Sequence, residues 1–282
     1  SYKLKKYGYR TIISPHGMLD PWALNNKKYL KSLFWILKEK SILDSSSCIH
    51  ALCESEYNSI RNLGVKSKIT IIPNGVQLPE LSKDSLLSLP PPLWLDYGVP
   101  VGVPVLLFLG RFHQKKGIYE LINAWNYIQK HRSSEVWLVL SGFGDSQKIT
   151  NLIRKLSVKN ISIIPPVYND NKASLFANSQ GFILPSYSEG LPMSVLEAMS
   201  WNLPCLLSNE CNIKESFPCG AALQAQPIFE NLISAIQGWI RLVNSDPNQL
   251  LEMGQNARKL IENKYSFEKV SLKIDQFYKS LL

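Results

Sequence analysis

The chain has 282 residues, 45% hydrophobic and 19% charged, which is enough apolar surface for a core and, at about 150 residues per domain, length for two domains. That composition excludes a disordered chain and a fibrous repeat. With 31 Lys and Arg against 22 Asp and Glu, the net charge of +9 favours an anionic partner (phosphates, nucleic acid or a membrane surface) without choosing among them.

In chain order, residues 1–80 offer a short apolar run at Thr11–Ile13, a long helix over Lys28–Lys40 and a second run over Ile69–Ile72. That is too little for a complete α/β domain, so the segment reads as the second half of one, with its first half absent; the opening Ser1 in place of Met agrees. Prolines at 79, 90, 91, 92, 100 and 104 mark 81–103 as a linker, since proline is excluded from helix interiors. From Pro104 onward the rhythm changes. Short apolar runs at Val105–Leu109, Val136–Leu140, Ile161–Ile164, Gly181–Leu184, Cys205–Leu207 and Ala221–Leu223 alternate with helical spacing at Ile118–Lys130, Ser146–Leu156, Asn171–Asn178 and Met193–Ser200. Fully apolar strands alternating with helices predict a parallel sheet covered on both faces, hence a doubly wound α/β domain over 104–264. The end is helical: Phe229–Val243, Pro247–Glu262 and Phe267–Leu281, the last in the closing segment 265–282.

The five cysteines (48, 53, 205, 211 and 219) form no CxxC and no zinc spacing, and read as reduced thiols in a cytosolic setting. No apolar stretch approaches the ~20 residues of a spanning helix. His50, His113 and His131 form no ligand cluster, and no DxD is present, so no metal site is expected.

Ligands of open α/β sheets bind beyond the carboxyl ends of the strands, and the chemical signal lies there. After the first strand comes Gly110-Arg111-Phe112-His113-Gln114-Lys115-Lys116-Gly117. Arg111 and Lys116 at a helix start suit a diphosphate, the Arg as a planar fork and the Lys as a compact charge. From this segment alone a solvated basic loop fits as well. After the strand Gly181–Leu184 comes Ser186-Tyr187-Ser188-Glu189-Gly190-Leu191-Pro192-Met193, and then Glu197 within the next helix. Pro192 suits a first helical turn, and free amides there would meet an anion. Two carboxylates eight positions apart suit a sugar nucleotide, one for sugar hydroxyls and one for ribose. By spacing alone, a capping acid plus an exposed helix acid is the favoured reading.

The combination changes the weights. Gly110-Arg111 with Lys116-Gly117, followed by Glu189 and Glu197, resembles the retaining glycosyltransferases of family 4, which have the GT-B fold. Ser14-Pro15-His16-Gly17, Ile72-Pro73-Asn74-Gly75-Val76, Ser141-Gly142-Phe143-Gly144, Glu197-Ala198-Met199 with Pro204, and Tyr265-Ser266-Phe267 fit the same family, so the resemblance runs over about 11–282. It implies two Rossmann-like domains, the N-terminal one incomplete and the C-terminal donor-binding one complete. It implies transfer of a sugar from a nucleotide-sugar donor to an acceptor hydroxyl, with retention and without a metal or cofactor. Arg111 and Lys116 would hold the diphosphate and offset charge on the leaving group. Glu189 would contact the donor sugar, and Gly110, Gly190, Leu191, Pro192 and Met193 would line the donor through their backbone. Glu197 would hold the ribose and Val167 would sit near the base. His16 would stand near the transferred sugar and acceptor, a structural histidine being the other reading. Asn74 is expected to shape the turn with Gly75.

Gln77 departs from the family's usual Asp, and Asn202 from its usual Gly before Pro204; Asn is the next best residue for a left-handed turn. Complete members carry roughly another hundred residues in front, among them a Gly-rich loop facing the donor phosphates. Cell-surface polysaccharide or glycolipid synthesis is the implied role, with a saccharide or lipid-linked acceptor and a place in the cytoplasm or at the inner face of the membrane. The segment 27–40, which mixes Lys with Leu, Phe and Trp at helical spacing, would supply a peripheral membrane contact or pack on its own domain. No nucleic-acid partner is expected. The alternatives are a non-catalytic nucleotide-sugar-binding module or inactive fragment and, disfavoured by the two glutamates, a sugar-nucleotide epimerase.

Overall fold

The computed structural model describes residues 7, 9–19, 40–131 and 135–281. The helix expected over Lys28–Lys40, and the membrane contact of 27–40, lie outside the described residues except for Lys40. The chain divides into two units, Ser1–Gly75 with Ser188–Leu191 and Phe267–Leu282, and Val76–Tyr187 with Pro192–Ser266.

The first unit is built on a three-stranded parallel sheet in the order β1-β2-β3: β1 (Ile12–Ile13), then helix α1 (Lys40–Asp44), β2 (Cys48–Ala51), α2 (Glu54–Asn62) and β3 (Ile69–Ile71). The central strand β2 was not legible as a run, because Cys48-Ile49-His50-Ala51 carries one β-branched residue and a histidine. Its alternation nevertheless sorts the core. Ile49 and Ala51 join Leu43, Ile60 and Val65 on one face. Cys48 joins Ile72, Val270 and Phe277 on the other, so the closing helix Phe267–Lys279 covers that face. His50 is structural: its Nε2 lies 2.7 Å from the Ile72 carbonyl, which only accepts, so Nε2 donates, and in the neutral ring Nδ1 accepts from Ser14 Oγ at 3.0 Å.

The second unit opens with α3 (Lys83–Leu87) and a 3-10 turn over Leu93–Tyr97, inside the stretch expected as a linker. Proline bars helix interiors but permits short turns, and Trp94, 3% exposed, gives this segment an anchor. Ser174 Oγ donates to Pro90 O at 2.6 Å and Ser162 Oγ to Tyr97 O at 3.0 Å, so the proline-rich stretch packs on its own unit.

There follow β4 (Val105–Leu109), α4 (Ile118–His131), β5 (Trp137–Ser141), α5 (Ser146–Leu156), β6 (Ile161–Ile164), α6 (Asn169–Asn178), β7 (Gly181–Leu184), α7 (Met193–Ser200), β8 (Cys205–Leu207), β9 (Ala222–Gln224), α8 (Phe229–Ser245) and α9 (Pro247–Lys264). The six strands are parallel, in the order β6-β5-β4-β7-β8-β9. The apolar runs bury as expected: Leu106, Leu107, Phe108, Phe182, Ile183 and Leu184 are inaccessible, as is the α4 stripe Ile118, Leu121, Ile122, Trp125 and Ile128. The buried indoles find partners, Trp125 Nε1 donating to Lys159 O at 3.2 Å and Trp239 Nε1 to Gln180 O at 3.1 Å. Asn202 takes the left-handed turn before Pro204, with φ +58°. No cysteine forms a disulfide, and four of the five are buried. Burial, with Cys211 nearby, pushes the Cys205 thiol up, which makes it unreactive.

Candidate functional site

The strand order reverses between β4 and β7, where the carboxyl ends of an open sheet form a crevice. The loop after β4 holds Gly110, Arg111 and Lys116. The Arg111 side chain is exposed and makes no hydrogen bond or ion pair among the described residues, while Lys116 is half-buried. Two contacts fix this loop to the segment after β7. Tyr187 N donates to Lys115 O at 2.8 Å, and Gly117 lies so close to Pro185 that a Cβ would collide with its carbonyl. Gly117 also has φ +66°, so only glycine fits there without strain. His113 caps the short turn, Nδ1 accepting from Lys115 N at 3.1 Å. The Ser141–Gly144 segment seals the other side: Phe112 N donates to Phe143 O at 2.6 Å and Asp145 N to Phe112 O at 2.9 Å. Tyr187 is pinned as well. Its hydroxyl lies 3.2 Å from Pro227 O, and burial, then the neighbouring Glu120 carboxylate, push it up to about 12, so it stays protonated near neutrality.

Pro192 is the cap of α7 and not a residue of its first turn; the helix begins at Met193. The Pro192 carbonyl accepts from Val195 N at 3.1 Å and Leu196 N at 3.3 Å, and no side chain caps the helix. The amides of Met193 and Ser194 are therefore the donors left at this end, with the positive end of the helix dipole behind them. Pro192 itself has no N–H to offer. Glu197 lies one turn further on, and its Oε1 is 2.7 Å from Lys172 Nζ of α6. Val167, 9% exposed, precedes α6 in the loop after β6. The second unit thus assembles Gly110, Arg111, Lys116, Pro192, Met193, Val167 and Glu197 at the carboxyl end of one sheet.

Glu189, Gly190 and Leu191 group with the first unit instead. There Cys53 Sγ donates to Gly190 O at 3.2 Å, and Asn74 Nδ2 to Leu191 O at 3.0 Å. Asn74 thus clamps this segment, and the turn expected at Asn74-Gly75 is not formed. Gly190 also approaches Gly17, whose nitrogen would lie 3.7 Å from a Cβ at 190. His16 is exposed, with φ +52°, and Gly17 follows at +76°. The strained pair is held by Glu56, 1% exposed, whose carboxylate accepts from Gly17 N at 2.6 Å and Leu52 N at 2.7 Å. Among the described residues the first unit therefore brings Gly17, the chain neighbour of His16, to Gly190. Sequence reasoning missed Glu56, Cys53 and Lys172: each acts through a contact at long range, with no motif around it.

Among the described residues, no group of three His, Cys, Asp or Glu is placed to hold a metal, and no helix is long and apolar enough to cross a membrane. A family model described as glycosyl transferases group 1 matches residues 96–260, more than half of the chain. The chain belongs to this family. A second model, Glycosyltransferase Family 4, matches residues 1–79. Relatives include the capsular polysaccharide biosynthesis glycosyltransferase CapM of Staphylococcus aureus, 23% identical over 92% of this chain and 68% of that protein. Another is the Escherichia coli UDP-Gal:alpha-D-GlcNAc-diphosphoundecaprenol alpha-1,3-galactosyltransferase, 29% identical over 82% of this chain and 59% of that protein. Among solved structures, Anabaena HepE in complex with UDP-glucose has a TM-score of 0.80 at 15% identity, over 99% of this chain and 74% of that one. Sucrose-phosphate synthase of Thermosynechococcus elongatus has 0.79 at 20% identity, over 99% and 70%. The fold is GT-B, of the glycosyltransferase type.

Proposed function

We propose that the chain carries the donor site of a retaining glycosyltransferase that moves a sugar from a nucleotide-diphosphate sugar to an acceptor hydroxyl. The observation that carries this reading is the meeting, at the switch point of the second unit, of exposed Arg111, the Lys116 loop, the uncapped start of α7 and the Glu197 carboxylate. A diphosphate needs cations and amide donors, a ribose needs a carboxylate acceptor, and this face supplies both.

In the reaction, the bond from the anomeric carbon to the diphosphate oxygen breaks, and its electron pair leaves with the diphosphate. Arg111, Lys116 and the amides of Met193 and Ser194 stabilise the charge that develops there, in place of a metal or cofactor. The acceptor oxygen bonds to the anomeric carbon on the face the diphosphate leaves, and its proton passes to a diphosphate oxygen. Val167 borders the base; Glu189, Gly190, Leu191 and His16, which belong to the first unit, are the residues that the family resemblance assigns to the sugar and the acceptor. The names of CapM and the E. coli galactosyltransferase support assembly of a cell-surface polysaccharide or a lipid-linked saccharide. UDP in the HepE complexes makes a uridine donor the first to test.

Calorimetric titration with UDP, GDP and ADP and their sugar conjugates tests the reading. One diphosphate family should bind, and Glu197→Ala should weaken it. Binding unchanged in Glu197→Ala, Arg111→Ala and Lys116→Ala would remove the site assignment.

A further inference from the structure

We infer that Lys172 is a positioning residue for the nucleotide's ribose, acting by holding Glu197; the inference rests on the donor-site reading above and deepens it. Lys172 lies in the first turns of α6 and Glu197 in α7, helices that follow strands from opposite sides of the sheet's switch point. Two side-chain contacts join the helices. Phe176, one turn after Lys172, stacks on Trp201, one turn after Glu197, with ring centroids 6.5 Å apart. The charged pair meets one turn nearer the carboxyl end of the sheet, at 2.7 Å.

The pair matters through geometry and not through stability. The side chains are 31% and 22% exposed, so water screens the pair and its share in stability is at most about 1 kcal/mol. What the pair does control is the carboxylate's orientation. Lys172 takes Oε1, and Oε2 makes no hydrogen bond among the described residues. A ribose offers two vicinal hydroxyl donors. A carboxylate locked by one oxygen presents the other, with the remaining lone pair of the first, in a single plane, so less freedom is lost on binding. Lys172 is thereby a determinant of ribose recognition without touching the diphosphate.

The test compares UDP with 2′,3′-dideoxy-UDP by calorimetry, in the wild-type chain and in Lys172→Met and Lys172→Arg. Lys172→Met should weaken UDP roughly tenfold, the scale of one charge-assisted hydrogen bond. It should leave the dideoxy form unchanged, and Lys172→Arg should restore most of the loss. Equal binding of UDP by wild type and Lys172→Met overturns the inference alone. An equal loss for both nucleotides also overturns it, since that marks a general electrostatic or structural role. A wild-type chain that binds no UDP, GDP or ADP overturns the donor-site reading and this inference with it.

Discussion

The two units hold their candidate residues by different means. In the second unit, apart from the Lys172 side chain on Glu197, backbone does the work: loops at strand ends bring Arg111 and Lys116 to the start of α7, tied by main-chain bonds such as Tyr187 N to Lys115 O. In the first unit, side chains reach across to backbone: Glu56 to Gly17 and Leu52, Cys53 to Gly190, Asn74 to Leu191. Backbone architecture tolerates side-chain change except at its glycines. Side-chain clamps fail when one atom is removed, because the backbone N–H or carbonyl it held is then left without its partner.

That difference predicts where substitution hurts. The largest effect belongs to Glu56→Ala, which orphans two buried N–H groups and should cost about 2–4 kcal/mol, read as a lower urea midpoint. Gly117→Ala should cost about 2 kcal/mol or more, since a Cβ meets both an unfavourable φ and the Pro185 carbonyl. It should also weaken nucleotide binding, whereas Glu56→Ala acts in the other unit. Asn74→Ala should cost about 1 kcal/mol, the scale of one neutral hydrogen bond. Arg111→Ala should leave the urea midpoint within about 0.5 kcal/mol of wild type, since the side chain is exposed. Its effect should appear in calorimetry, as weaker binding of diphosphates and unchanged binding of nucleosides.

The smallest effect is electrostatic and pH-dependent. Burial pushes the Glu215 carboxyl up, but hydrogen bonds from Lys264 at 2.8 Å, its own amide and the Tyr265 hydroxyl at 2.8 Å outweigh it and hold it below the usual range. A carboxyl lowered in the folded state contributes stability above its unfolded value, and that contribution disappears as the pH falls through the folded value. Glu215→Gln should therefore cost under about 1 kcal/mol at pH 7 and nothing in acid below the folded value. A cost independent of pH would contradict this.

How much was legible follows the same division. The strands Val105–Leu109, Ile161–Ile164, Gly181–Leu184 and Cys205–Leu207 were readable because a sheet buried on both faces leaves continuous apolar runs. Arg111, Lys116 and Glu197 were singled out through the family resemblance, since their spacing alone fitted a solvated basic loop and an exposed helix acid. Strand Cys48–Ala51 was not, because its neighbours in the sheet, and not its own composition, make it a strand. Pro192 was misplaced by one residue, a boundary set by cap dihedrals. Glu56 and Lys172 leave no local trace: their partners Gly17 and Glu197 are 39 and 25 positions away.

Backbone hydrogen exchange, measured with and without saturating UDP, tests the central claim most directly. A donor site at the switch point of the second unit predicts slowed exchange at 110–117 and at the amides of Met193 and Ser194. UDP binding with no protection in either segment would contradict it.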